Sequence, residues 1–465
     1  MSDPLTGSVT DPLTNTGSNS LSWLGIVRLG LIQASLGAIV VLTTSTMNRV
    51  MVVELSLAAV LPGALVGLHY AIQLLRPRFG YGSDLGQRRT PWIVGGMATL
   101  ALGGVGASLS IALMSTALVP GILAAVLSFV VIGAGVGAAG TSLIVLLATR
   151  VDETRRPAAA TIVWVMMIAG FVVTTVVAGH MLDPFSMARL VTITGMVAAG
   201  AVVVTVLAII GLEPRSEKPS LPSTEPTDSK TPFRTAFAQV WSEPRARLFT
   251  LFVVTSMLGY SAQDLILEPY AGLLFGYSPG QSTQLAGVQH GGALLGMLVV
   301  GFLGTLRPVR RFISIRSWTV GGCLASAAAL VVLAFGGFAG PGWPLAATVF
   351  CLGTANGVFA VAAIGSMMTM AGQGRARREG VRMGLWGAAQ ALAMGFGGLL
   401  GAAGVDLIML FSDQPVLAYG SVFVIEAGLF VFAALLAMRI SGTHPASRRH
   451  SIGRVSEHLV GVSQQ

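Results

Sequence analysis

Twelve separate stretches of this chain are each long and apolar enough to cross a lipid bilayer, and nothing else in the sequence narrows the available folds so far. A hydrocarbon core takes about 20 apolar residues per helix. The stretches run over 29–50, 56–75, 91–114, 120–147, 158–178, 188–212, 248–267, 283–306, 314–335, 345–370, 383–408 and 416–438. With 53% hydrophobic and only 10% charged residues in 465, the chain is no ordinary soluble domain, and an all-α membrane protein with twelve transmembrane helices is expected. The formal net charge of +9 would suit nucleic acid only if the basic side chains formed a patch on a soluble surface. They lie instead in short loops between spans, so the expected surroundings are lipid, with no nucleic-acid partner.

The basic residues also orient the spans, because Lys and Arg collect in cytoplasmic loops. With both termini in the cytoplasm, every Lys and Arg except Arg49 and Arg189 falls on that side. Residues 1–28 begin with a Ser, Thr, Asn and Pro-rich stretch without Lys or Arg up to Leu21, read as a disordered tail and not as a cleaved signal. Residues 440–465 form a basic cytoplasmic tail. Cys323 and Cys351 fall inside apolar spans and read as packing residues, with no disulfide framework, zinc site or other intrinsic metal.

One long polar stretch interrupts the spans. Between Glu213 and Glu243 the chain carries Pro214, Pro219, Pro222, Pro226 and Pro232 among charges and hydroxyls, which marks residues 213–246 as a flexible cytoplasmic linker between six-helix halves at 29–212 and 247–439. The halves echo one another. Arg155, Arg156 and Trp164 recur 222 residues on as Arg377, Arg378 and Trp386, Arg88 and Arg89 recur as Arg310 and Arg311, and His69 is matched by His290. A duplicated six-helix unit is the plan of the major facilitator superfamily, whose pseudo-symmetric halves enclose a site at mid-membrane. The loop Gly80 to Arg89 resembles that superfamily's loop signature, with Gly86 two residues after Asp84 where the pattern has three. The resemblance implies a conformational latch formed by Asp84, Arg88 and Arg89. Arg and Trp at Arg156, Trp164, Arg378 and Trp386 are expected to anchor helix ends at the interface. Glycines four apart, Gly133 with Gly137 and Gly397 with Gly401, read as close helix contacts.

Ionisable groups at membrane depth are costly and point to function. The stretch Ser261 to Gly276 carries two, Asp264 and Glu268, one helical turn apart, with Gln263 and Tyr270 nearby and Pro269 interrupting the hydrogen-bond ladder. The span boundaries set this stretch at the non-cytoplasmic end of the seventh span, which favours a helix end over a buried proton relay. Its counterpart, Asn48 to Leu55 with Arg49 and Glu54, lies at the matching end of the first span, so the two are expected to face each other.

These two stretches, with Ser83 to Ile93 and Arg377 to Ala391, resemble the PucC/LhaA family of photosynthetic bacteria along essentially all twelve spans. The Gln-Asp-x-x-Leu-Glu-Pro-Tyr motif at Gln263 to Tyr270 is its most specific mark. The family is regarded as the bacteriochlorophyll-delivery branch of the major facilitator superfamily. The resemblance implies an antenna assembly factor, not an enzyme, in the bacterial inner, intracytoplasmic photosynthetic membrane. Bacteriochlorophyll would be its transient cargo, and its partners light-harvesting antenna polypeptides, with pigment-synthesis enzymes as further candidates. Pigment magnesium takes axial ligands from imidazole, carboxylate, carbonyl or water, so His290 and His69 are candidate ligands; each imidazole could equally hydrogen-bond a neighbouring helix. Asp264, Glu268 and Glu54 could bind magnesium through oxygen or hold the halves together by pairing with Arg49, the second being preferred. A secondary transporter for a small solute is the alternative function. A prenyltransferase would hold diphosphate through aspartate-bridged magnesium, and no such aspartate cluster stands in a loop here.

Overall fold

In a computed structural model of the protein, the described residues are 20–76, 79, 88–152, 155–213, 241–304, 306–371 and 379–441. Residues 1–19 of the inferred N-terminal tail, residues 442–465 of the C-terminal one, most of the linker, Asp84 of the inferred latch, and Arg377 and Arg378 lie outside them, whereas residues 23–28, expected in the disordered tail, are helical and begin the first span. Among the described residues twelve apolar helices account for the architecture: α1 Trp23–Glu54, α2 Val60–Leu75, α3 Thr90–Met114, α4 Leu118–Arg150, α5 Arg156–Leu182, α6 Met187–Ile209, α7 Pro244–Phe275, α8 Pro279–Leu303, α9 Ile315–Ala339, α10 Leu345–Ala371, α11 Glu379–Ser412 and α12 Pro415–Ser441. Eleven are long and apolar enough to cross a membrane, and α2 is a shorter apolar helix. This is a multi-pass membrane protein.

The helices pack in a repeated pattern. Within the first six, α1 lies against α5 and α6, α2 against α4, and α3 against α4 and α6; adding six to every number gives the contacts within the last six. The two sets meet along α2–α11, α5–α8 and the end of α1 against α7 and α8. Buried apolar side chains accordingly form two cores, one from residues 26–212 joined by Leu265 and Ala402, the other from 249–437. The sharpest packing is at glycine. A β-carbon at Gly133 would stand 2.6 Å from the His69 carbonyl oxygen, and one at Gly397 the same distance from that of Leu258.

Three sequence expectations shift. The first span is longer than 29–50 and the second shorter than 56–75, because α1 stays helical through two π turns, Leu42–Thr46 and Val50–Glu54. Ser56 then turns the chain at φ 51°. The seventh span does not stop at Leu267 but runs two turns further to Phe275, ending on Gly276 in the left-handed region at φ 69°. Trp386 is not an interfacial anchor: it is buried, its ring 4.8 Å from Phe249, whereas Trp164 is exposed. Trp and an apolar helix look alike in sequence whether the ring faces lipid or protein.

Arginines gather at one end of the bundle. Arg28 donates to the Ala208 carbonyl (2.9 Å), tying the start of α1 to the end of α6, and Arg316 donates to Met438 (2.8 Å), tying α9 to α12. At this end Glu213, just past α6, caps α3. Its carboxylate accepts from the backbone N–H of Arg89 (2.8 and 3.0 Å) and from the N–H (2.9 Å) and hydroxyl (2.7 Å) of Thr90. Partial burial alone would raise the Glu213 carboxyl; the donors from Arg89 and Thr90, with the Arg88 charge, outweigh it and hold the group below the usual carboxylate range. A carboxyl depressed by folding stabilises the fold above its unfolded value, about 4.3 for Glu, and that contribution disappears as pH falls through the folded value. Thermal unfolding in detergent should therefore show wild type more stable than Glu213→Gln near neutrality, with the gap closing on acidification.

Candidate functional site

Opposite the arginine-rich end, polar side chains of α1 cross to α7 and α8. The local geometry begins in Leu42–Thr46, where the hydroxyls of Thr43 and Thr44 turn back to the Val40 carbonyl (2.8 and 3.0 Å). Such side-chain bonds compete with the helical ladder, and π turns re-aim the residues that follow. Ser45, Thr46, Asn48 and Arg49 are all buried here.

Glu268, 1% exposed, accepts hydrogen bonds from Ser45 of α1 and from Ser282 of α8 (3.1 Å), so one carboxylate joins three helices. The hydroxyls of Thr46 and Thr283 meet at 3.0 Å. Arg49, 2% exposed, forms an ion pair with Glu54 and donates to the Tyr277 carbonyl (2.6 Å) just beyond the end of α7. Its guanidinium lies over Gly272, where a β-carbon would stand 3.1 Å from it. The Arg49 charge reaches Glu268 electrostatically, but the groups are not hydrogen-bonded. The acid paired with Arg49 is thus Glu54 of its own helix, and the bridge to the other half runs through a carbonyl.

Pro269 stands inside α7 without ending it. Proline has no N–H for the carbonyl four residues earlier, and that carbonyl, Leu265, takes the side-chain amide of Asn48 instead. The C-terminal half leaves one backbone acceptor open and the N-terminal half fills it. Asn48→Leu is expected to cost about 1–3 kcal/mol by stranding a buried carbonyl. In a Pro269→Ala background the restored N–H can take Leu265, and the same change should cost measurably less. Equal costs in a double-mutant cycle of unfolding temperatures would refute the pairing.

Two further bridges complete the seam. Asp406 of α11 accepts from the N–H groups of Ala59 (3.0 Å) and Val60 (2.6 Å), capping α2. Ser278, which caps α8, donates to Asp183 at the end of α5 (2.9 Å).

The other candidate residues separate by helix face. Asp264 is half-buried on the side of α7 toward the first six helices, within electrostatic reach of the Tyr70 and Tyr260 hydroxyls. Gln263 and Tyr270 are fully buried, on the opposite stripe. Tyr270 donates to the Leu333 carbonyl (2.8 Å) and packs against Tyr419 and Phe423. His69 meets the Gln73 amide nitrogen at 2.9 Å through Nε2, and Gln73 Oε1 accepts from Arg76. Arg76 can only donate, so the Gln73 nitrogen faces His69 and occupies its Nε2 lone pair. Neither ring nitrogen of His290 is hydrogen-bonded among the described residues; the ring lies 4.9 Å from Phe171 of α5. Ser45, Thr46, Asn48, Asp406 and Glu213 were not singled out by the sequence. A signal existed for the first three, a run of small polar residues inside an apolar span.

A family profile described as PUCC protein matches residues 46–444. The bacteriochlorophyll synthase 44.5 kDa chain of Rhodobacter capsulatus is 50% identical over 429 residues, covering 92% of this chain and 98% of that one. A protein named PucC from Cereibacter sphaeroides is 29% identical, covering 94% and 96%. Among solved structures, a bacterial homologue of the human lysosomal transporter Spinster, inward-facing and unoccupied, superposes with a TM-score of 0.67 at 16% identity, covering 90% of this chain and 96% of that one. The nucleoside transporter NupG gives 0.59 at 15%, covering 90% and 100%. At such identities the likeness is one of fold, that of the major facilitator superfamily.

Proposed function

Because the chain belongs to the PucC family, we propose that it is a non-enzymatic assembly factor that binds bacteriochlorophyll, or hands it on, to light-harvesting antenna polypeptides in a bacterial photosynthetic membrane. The observation that carries this reading is the seam itself. The family's Gln263–Tyr270 motif is spent on joining α7 to α1, with Glu268 on Ser45 and the Leu265 carbonyl on Asn48. These carboxylates and amides hold helices, which is work for a protein that changes shape around a cargo. The arginine-rich end lies in the cytoplasm on this reading, in keeping with the bias of basic loops. A relative carries the word synthase in its name; for this chain the proposed role is delivery beside such an enzyme.

Purification in mild detergent followed by an absorption spectrum tests the reading. Pigment or antenna peptides should co-purify, and their reproducible absence overturns it. Bacteriochlorophyll magnesium takes an axial nitrogen ligand, and His290 has unengaged ring nitrogens whereas the His69 lone pair is taken. His290→Phe is therefore expected to reduce pigment retained per protein severalfold, and His69→Gln to leave it near wild type. A small-solute transporter is the second reading, favoured by the shared transporter fold. Solute-dependent uptake into proteoliposomes, without pigment binding, would promote it.

A further inference from the structure

The interior of the last six helices contains a polar layer that the seam does not use. An aromatic layer fixes its depth. Phe359 of α10 packs against Tyr260 of α7 (6.5 Å) and Phe430 of α12 (5.4 Å), and Gly322 of α9 abuts the Phe359 backbone. One turn further along each helix, towards the seam end, stand Gln263 of α7, Asn356 of α10, Glu426 of α12 and Ser326 of α9. Beyond them lies a second aromatic layer, in which Tyr270 packs against Tyr419 and Phe423. The register is anchored at several points: a β-carbon at Gly259 would stand 3.2 Å from Phe430 and 3.6 Å from the Glu426 carbonyl oxygen, Ser326 donates to Asn356 Oδ1 at 2.8 Å, and Tyr270 donates to Leu333 of α9.

All four polar residues are at most 1% exposed. Among the described residues, both Glu426 carboxylate oxygens, both polar atoms of the Gln263 amide and the Asn356 Nδ2 are without hydrogen-bond partners. No ion pair reaches Glu426 among the described residues. On the neighbouring helices, Tyr260 of α7 lies within electrostatic reach of Asp264 and Tyr70, and Cys323 of α9 is buried one turn from Ser326; α10 carries no titratable group at this level. Asp264 points away across α7, and Asp406 of α11 acts on Tyr419, two turns off. A lone carboxylate inside a membrane bundle is sustained only with a compensating positive charge, and an amide with every atom unpaired costs further.

We infer that this layer is a binding site for one monovalent positive charge, a proton or an alkali cation, with Glu426 as the anionic ligand and Gln263, Asn356 and Ser326 as neutral ones. The layer holds five side-chain oxygens, two from Glu426 and one each from Gln263, Asn356 and Ser326, the last two joined by a hydrogen bond. A bound proton would make Glu426 a donor to the Gln263 oxygen and leave its carbonyl oxygen for an amide N–H; an alkali ion would take the oxygens directly. The site is enclosed by one half and shares α7 with the seam. Binding there would act on the helix that carries Asp264 and Glu268.

The test uses the full-length protein in detergent, comparing wild type with Glu426→Gln. If the occupant is a proton, the infrared difference between them contains a protonated carboxylic-acid C=O band that shifts in D2O. If it is an alkali ion, NaCl or KCl raises the wild-type unfolding temperature saturably against choline chloride at equal ionic strength, and Glu426→Gln abolishes the effect. The inference is overturned when neither the band nor the ion-dependent shift distinguishes the two proteins, which would leave a carboxylate solvated by water alone. Should Glu426→Gln not fold, Asn356→Leu serves: it should move the acid band or weaken the ion's half-saturation by about tenfold, the equivalent of one lost hydrogen-bonding ligand. An unchanged band and unchanged half-saturation in that variant also overturn it.

Discussion

Gly292→Val is expected to abolish accumulation of folded protein, while Gly291→Val, one residue earlier on the same helix, is expected to be tolerated. Helices α8 and α10 touch backbone to backbone through Gly292 and Gly296 on one and Gly353 and Gly357 on the other. A β-carbon at Gly292 would overlap the Phe350 carbonyl oxygen and stand 2.9 Å from the Thr354 nitrogen. Both obstacles are main-chain atoms of a helix, so no rotamer change relieves them and the helices must part. Parting them also separates Gly296 from Thr354, Gly353 from Gln289 and Gly357 from Ala293. The expected loss therefore exceeds the about 1–3 kcal/mol typical of one overpacked side chain. A β-carbon at Gly291 meets nothing within 4 Å. Size-exclusion profiles of the two variants in detergent should differ completely, and a monodisperse Gly292→Val protein would contradict the close approach.

The second large effect is functional. Glu268→Ala is expected to reduce antenna assembly severely without preventing membrane insertion, because it removes the acceptor that joins Ser45 to Ser282, leaving Ser282 only the Pro279 carbonyl of its own helix (3.1 Å) and nothing to tie α1 to α8 through α7 at this point. Glu268→Gln keeps one acceptor oxygen and should fall between. Immunoblotting of membranes reports insertion, and the near-infrared antenna bands report assembly. Wild-type antenna levels in the alanine variant would reduce Glu268 to a packing residue. Asp264→Ala is the informative partner, since Asp264 faces Tyr70 and Tyr260 with no hydrogen bond to another helix among the described residues; a deficit there would point to cargo contact and not to the seam.

The spans and their repetition were legible because lipid leaves an unmistakable record in composition, and because Arg88, Arg89 and Trp164 have counterparts at a fixed distance along the chain. The rotation of each helix was not legible. Lipid-facing and protein-facing sides are both apolar here, so Trp386 reads like Trp164 although one is buried and the other exposed. Glu268 and Asp264 announced themselves by charge, yet their surroundings depended on a helix continuing past Pro269, which the usual effect of proline argues against. Glu426 carries the same charge signal as Glu268. What isolates it is that neither carboxylate oxygen finds a hydrogen-bond partner among the described residues, a property of packing that a linear pattern does not contain.

The carbonyl of Leu265 also sets an order of events for any movement of the two halves. When α1 draws away from α7, Asn48 leaves with it, and that oxygen must at once find another donor or remain stranded at about 1–3 kcal/mol. Water can supply the donor, whereas a hydrocarbon tail cannot. The first visitor to a parting seam is thus polar, and on the proposed role an apolar cargo would pass this end only after it has been wetted.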